Sequence, residues 1–154
     1  PGDGHMTQLI NTTAHAAVRQ AARNAASIAL ADTGAVNSSI RLYTAAGGTL
    51  LAVRTLAKPC GTLGAAPDFR ITLTAAETTD VALATGAARH AEWCDGSGVA
   101  ISSGRVTDPD GNITDGTGAV VPDPLGVGPF VLGGSVGTMV YLGGLVLLYT
   151  GLIG

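Results

Sequence analysis

The densest group of oxygen-bearing side chains is Asp108-Pro109-Asp110-Gly111-Asn112, with Asp115 three residues further on. Hard cations such as calcium take clustered carboxylate and amide oxygens, so Asp108, Asp110, Asn112 and Asp115 are the candidate metal ligands. The late glutamate that completes a calcium loop is missing, and Pro-Asp-Gly is a turn sequence for backbone reasons alone. A turn is therefore the favoured reading, and no cofactor is expected. A nucleophile, base and orienter can be drawn from Cys60, His90 and either Asp68 or Glu92. No local spacing supports that trio, and His90 and Glu92, two residues apart, share a strand face as solvated residues do. The chain is expected not to be an enzyme. His15 reads as a surface or subunit-contact residue. Trp93, the only tryptophan, reads as a core or interface anchor rather than a sugar platform. The glycine pairs are not followed by Lys-Ser/Thr and a helix, so none is a phosphate loop.

The elements that must position these residues begin with one helix. Thr13 can cap Ala14 to Ala31, and alanine is intrinsically helical. Val18, Ala21, Ala25, Ile28 and Ala29 recur at spacings of three and four, which predicts a small-residue face that packs closely on a sheet or another subunit. Gly34 supplies the stop. Beyond it the period changes to two. Ser39–Thr44 and Thr49–Leu56 predict a hairpin across Ala45-Ala46-Gly47-Gly48. Lys58–Pro67 predicts a loop, and Phe69–Thr74, Val81–Thr85 and Arg89–Cys94 predict strands. Asp95-Gly96-Ser97-Gly98 is a hairpin turn leading into Val99–Gly104. Residues 108–129, rich in Pro and Gly, predict a long mobile loop. No internal repeat is visible.

From Pro124 to Gly154 there is no charge, and Phe130–Ile153 is long enough to cross a bilayer. Glycine pairs at 133–134 and 143–144 cut that run into Phe130–Leu132, Thr138–Tyr141 and Leu145–Tyr149. These pieces have strand length and composition, and no basic cluster flanks them. Buried strands partly covered by a second subunit are the reading, and a membrane partner is not expected. Adjacent Leu147 and Leu148 cannot both face one core, so one of them is expected to meet another chain.

Composition narrows the function classes. The chain has 154 residues, a net charge of −3 and only 12% charged residues, so no basic face is available for nucleic acid. Hydrophobicity of 46% argues against disorder, although 25 of those residues are alanine and the bulky core is thin. Pro1 to His5 before Met6 reads as an expression-tag remnant, and no signal peptide follows. Cys60 and Cys94 are expected as free, semi-buried thiols, in no zinc-like spacing.

Three stretches carry a resemblance. They are Arg23-Asn24-Ala25-Ala26 with Asp32-Thr33-Gly34, then Ile40–Tyr43 with Gly48–Ala52 and Leu56–Pro59, and later Ala91-Glu92-Trp93-Cys94-Asp95-Gly96-Ser97-Gly98. Their order resembles small structural proteins of the virions of tailed bacteriophages and prophages. The resemblance implies a capsid decoration or cement protein or a small tail protein, found in the virion and made in the bacterial host cytoplasm. It implies no functional residues.

The expected fold is mainly β: a β-sandwich or jelly roll at 35–154, its loop at 108–129, after a tag remnant at 1–6 and a helical segment at 7–34. The expected partners are further copies of the chain, a trimer being one arrangement, and other virion proteins such as the major capsid protein. Val18, Ala25, Ile28, Trp93, Phe130, Tyr141, Leu147 and Tyr149 are the interface candidates. The alternative is a tail or host-surface, glycan-binding module using Trp93 and a calcium-binding 108–115 loop.

Overall fold

The computed structural model describes residues 12–133, 136–144 and 146–150, with 147–150 described by backbone alone. The fold is mainly β with one helix.

Helix α1 spans Thr13–Ala31. Its cap is Thr12 rather than Thr13: the Thr12 hydroxyl accepts the His15 N–H at 3.1 Å, satisfying one of the free donors of the first turn. The packed face also differs from the expected one. It is formed by Ala17, Gln20, Ala21, Asn24, Ser27, Ile28 and Ala31, while Val18, Ala25 and Ala29 point outward. Polar anchors set that rotation. The Asn24 side-chain amide donates to the Phe69 carbonyl at 2.7 Å, and the Asp32 carboxylate accepts the Cys60 N–H at 3.0 Å. A helix with alanine on most of its circumference gains little apolar burial from one rotation over another, so these two bonds select the face.

The main sheet has seven strands in the order β11-β9-β6-β5-β1-β2-β3. These are β1 (Ser39–Tyr43), β2 (Leu50–Leu63), β3 (Ile71–Ala75), β5 (His90–Cys94), β6 (Ala100–Thr107), β9 (Phe130–Gly133) and β11 (Leu147–Thr150). β6 and β9 are parallel and all other neighbours antiparallel. β2 pairs with β1 along its first half and with β3 along its second, the register breaking between Leu56 and Gly61. Dividing one long strand between two partners curls the sheet. It also carries β2 through Lys58–Leu63, where a loop is expected from sequence. Two short ribbons complete the described strands: β4 (Gly86–Ala87) with β10 (Met139–Val140), and β7 (Asn112–Thr114) with β8 (Val120–Pro122). Val81–Thr85, expected as a strand, instead holds the Leu51 carbonyl through the Leu83 N–H at 2.7 Å and precedes β4.

Alternation along the strands separates the two faces. Ile40 lies opposite Trp93 and Leu42 opposite Ala91, and all four are buried. They cluster with Leu56, Val106, Phe130 and Leu132 from the sheet, with Ala82, Ala88, Val140 and Val146 from the ribbon region, and with Ala31 at the helix end. Arg41, Tyr43, His90 and Glu92 take the opposite face and are half-buried. Among the described residues no helix is long and apolar enough to cross a membrane.

Candidate interaction surface

The region expected as a mobile loop is a built arm, and one local device builds it. Asp108, Asp115 and Asp123 each start a turn that ends three residues later on a glycine with positive φ: Gly111 at 81°, Gly118 at 86° and Gly126 at 72°. Asp95 with Gly98, at 81°, makes the same turn between β5 and β6. In each, the glycine N–H returns to the aspartate carbonyl, and aspartate Oδ1 accepts the N–H two residues on. Only glycine enters the left-handed region at no steric cost, and aspartate is the side chain that reaches its own turn. The fourfold Asp-x-x-Gly spacing is the repeat that composition alone concealed. Arg105 fastens the last turn, pairing with Asp123 and donating to the Gly126 carbonyl at 3.1 Å.

These turns engage two of the candidate metal ligands, Asp108 and Asp115, as their own caps. Asp108 is 1% exposed; its Oδ1 accepts the Asp110 and Asn112 N–H groups, and its Oδ2 accepts the Asn112 amide and the Gly137 N–H. Burial opposes ionisation of this carboxyl, but the donors from Gly137, Asn112 and Asp110 outweigh it and hold it below the usual carboxylate range. Asp110 is exposed, and Asp115 caps a separate turn. Among the described residues no three His, Cys, Asp or Glu side chains are placed to share an ion.

The residues drawn as a nucleophilic trio are also separated. His90 lies across from Tyr43 at one end of β1, whereas Cys60 lies on β2 beyond Thr55, the partner of Ser39 at the other end. His90 instead approaches Glu92 at 3.7 Å, and Asp68 approaches Arg70 at 3.8 Å. Cys60 and Cys94 are free and buried. Burial, reinforced by the Asp32 carboxylate and opposed by the Ser38 hydroxyl, pushes the Cys60 thiol up to about 11, so it is not a thiolate at neutral pH. Burial likewise raises Cys94.

The fold also leaves apolar side chains facing outward. Thirteen large hydrophobic side chains are exposed among the described residues, and four of them sit on two segments that hydrogen-bond to each other. The Ala82 N–H donates to the Gly144 carbonyl, the Gly143 N–H to the Ala82 carbonyl, and the Leu142 N–H to Thr85 Oγ1. This lacing turns Ala82 into the core and leaves Val81, Leu83, Tyr141 and Leu142 outward, the last three 56–69% exposed. Val120, Leu125, Val127 and Val136, on and beside the turn arm, are exposed as well. Contiguous exposed apolar side chains mark interaction sites in soluble domains.

Of the interface candidates, Tyr141 and Val18 are exposed, and Ala25 lies on the outer helix face. Trp93 and Phe130, each 1% exposed, sit in the core, which for Trp93 is one of the two expected roles. They belong to one buried cluster with Ala88 and Val140 of the ribbon region. Ile28 packs half-buried against the same core. Leu147 and Tyr149 lie on β11, but their side chains fall outside the described residues. Val81, Leu83 and Leu142 were not singled out from sequence; the alternation of Val81-Ala82-Leu83 was the available signal.

Comparison of the chain with protein-family models, with curated proteins and with solved structures finds no match.

Proposed function

We propose that this chain is a non-enzymatic structural subunit that self-associates and docks into a larger shell, in the manner of a capsid decoration or cement protein of a tailed-phage virion. The observation that carries the reading is the laced, outward-facing group Val81, Leu83, Tyr141 and Leu142 on a surface poor in charge. Apolar side chains clear of a monomer's core are stabilised by burial against a partner, at about 25 cal/mol per Å². We read the curled sheet, with the β4–β10 ribbon against its core residues, as a sandwich-like building block. Its partners are further copies of itself and the major capsid protein, and its place is the virion.

Mass spectrometry of purified particles from the encoding phage or prophage checks the placement. The reading expects the chain at a fixed copy ratio to the major capsid protein. Particles that lack it, with the chain accumulating only in the host lysate, overturn the placement in the virion.

A further inference from the structure

A groove of about 330 Å³ runs between the Asp115 turn and the β4–β10 ribbon, lined by Thr44, Arg89, Asp115, Gly116, Gly118 and Met139 among others. Its volume is at the lower end of small-ligand sites. Arg89 is exposed, and among the described residues its guanidinium has neither an ion pair nor a hydrogen bond. Its charge is felt by Asp123, but that carboxylate is already held by the Leu125 N–H and by Arg105. Across the groove, the bonds that the Asp115 carboxylate makes to its own turn all end on Oδ1: the Thr117 N–H at 2.8 Å, the Thr117 hydroxyl at 2.7 Å and the Ala119 N–H at 3.0 Å. Oδ2 remains an open acceptor. The Gly116 N–H has no partner among the described residues, and at both Gly116 and Gly118 a Cβ would meet nothing within 4 Å, so this wall is bare backbone.

The lining discriminates among ligand classes. An anion meets the Asp115 carboxylate and a cation meets Arg89. A wholly apolar molecule strips water from both charges with no return. A neutral molecule with adjacent hydroxyls satisfies all three groups, donating to Asp115 Oδ2 and accepting from Arg89 and the Gly116 N–H, while Met139 covers a C–H face. We propose that this groove binds a neutral polyhydroxylated ligand the size of a simple sugar, held between Asp115 Oδ2 and the Arg89 guanidinium. The site is separate from the apolar surface and stands or falls without it. Trp93 takes no part, since it is buried.

Amide chemical shifts of the full chain, titrated with glucose, galactose, N-acetylglucosamine and inorganic phosphate, test the proposal. At least one sugar is expected to give saturable shifts at Gly116, Gly118 and Arg89, with none from phosphate. Arg89→Ala is expected to weaken binding about tenfold, the loss of one charged hydrogen-bonding group. Gly116→Val, which fills open space and leaves Arg89 intact, is expected to block it while the rest of the spectrum stays dispersed. No saturable shift with any of the sugars overturns the proposal, as does saturation by phosphate alone or sugar binding unchanged in both variants.

Discussion

Replacing Asp108 with alanine is expected to destabilise the protein by about 4 kcal/mol, lowering the thermal midpoint by about 10 °C. The carboxylate is 1% exposed and accepts four hydrogen bonds, two closing its own turn and two reaching the Asn112 amide and the Gly137 N–H. Alanine leaves the buried Gly137 N–H and the part-buried Asp110 and Asn112 donors without this acceptor, and an unsatisfied buried donor costs more than the bond itself was worth. The Gly137 bond matters most for shape, because beside it Thr114 and Thr138 exchange reciprocal bonds of 3.0 and 2.9 Å that join the arm to the segment entering β10. Asp108→Asn is expected to recover only part of the loss, since its NH2 group faces donors where Oδ2 accepted them.

The sign of the pH dependence follows from the same bonds. The folded pKa of Asp108 lies below its unfolded value near 3.9. The unfolded chain therefore binds its proton first as pH falls, and the stabilisation present above about pH 4 is lost as pH drops towards the folded value. Asp115, held low by Thr117, and Asp123, held low by the Leu125 N–H, act in the same direction. Urea unfolding at neutral and acid pH measures both effects. Asp108→Ala should start lower and lose less on acidification; a variant as stable as the parent, with the same acid slope, contradicts the arm described here.

The second large effect is expected at Gly96, where alanine should cost about 3 kcal/mol. The β5–β6 turn lies against the chain leaving α1, and the Gly96 N–H donates to the Thr33 carbonyl at 2.9 Å. A Cβ on Gly96 would overlap the Val36 carbonyl oxygen and lie 2.6 Å from that of Thr33, both of them backbone atoms that cannot rotate away. Gly34 faces the same contact from the other side, at φ 99°. The turn must lift, taking with it the junction that seats the end of the helix. Gly116→Ala, at a site with nothing within 4 Å, is the matched control and should unfold with the parent. Equal denaturation midpoints for Gly96→Ala and Gly116→Ala contradict the close approach.

The strands were legible because alternation is a direct image of a sheet with one covered face. Ser39–Tyr43, His90–Cys94 and Phe130–Gly133 begin and end within a residue or two of their sequence boundaries. The helix was legible in extent and not in orientation. Ala17, Ala21, Ala25 and Ala29 are chemically identical, and the choice among faces fell to Asn24 meeting Phe69, forty-five residues away in sequence. The arm was hidden for another reason. β7 and β8 have three residues each, too few to display a period, and their stability comes from aspartates whose turn role and metal role read alike in sequence. The interaction surface was legible only as an uncharged run. Which of its side chains face outward depends on the bonds between the segments around Ala82 and Gly144.

Sedimentation velocity of the purified chain over rising concentration tests most directly whether the outward group at Leu83 and Leu142 joins copies together. The expected result is a discrete assembly at micromolar concentration that Leu83→Glu with Leu142→Glu reduces to monomer, leaving the circular dichroism spectrum intact. A parent chain that remains a monomer throughout the range, or a doubly substituted chain that assembles as the parent does, contradicts the account.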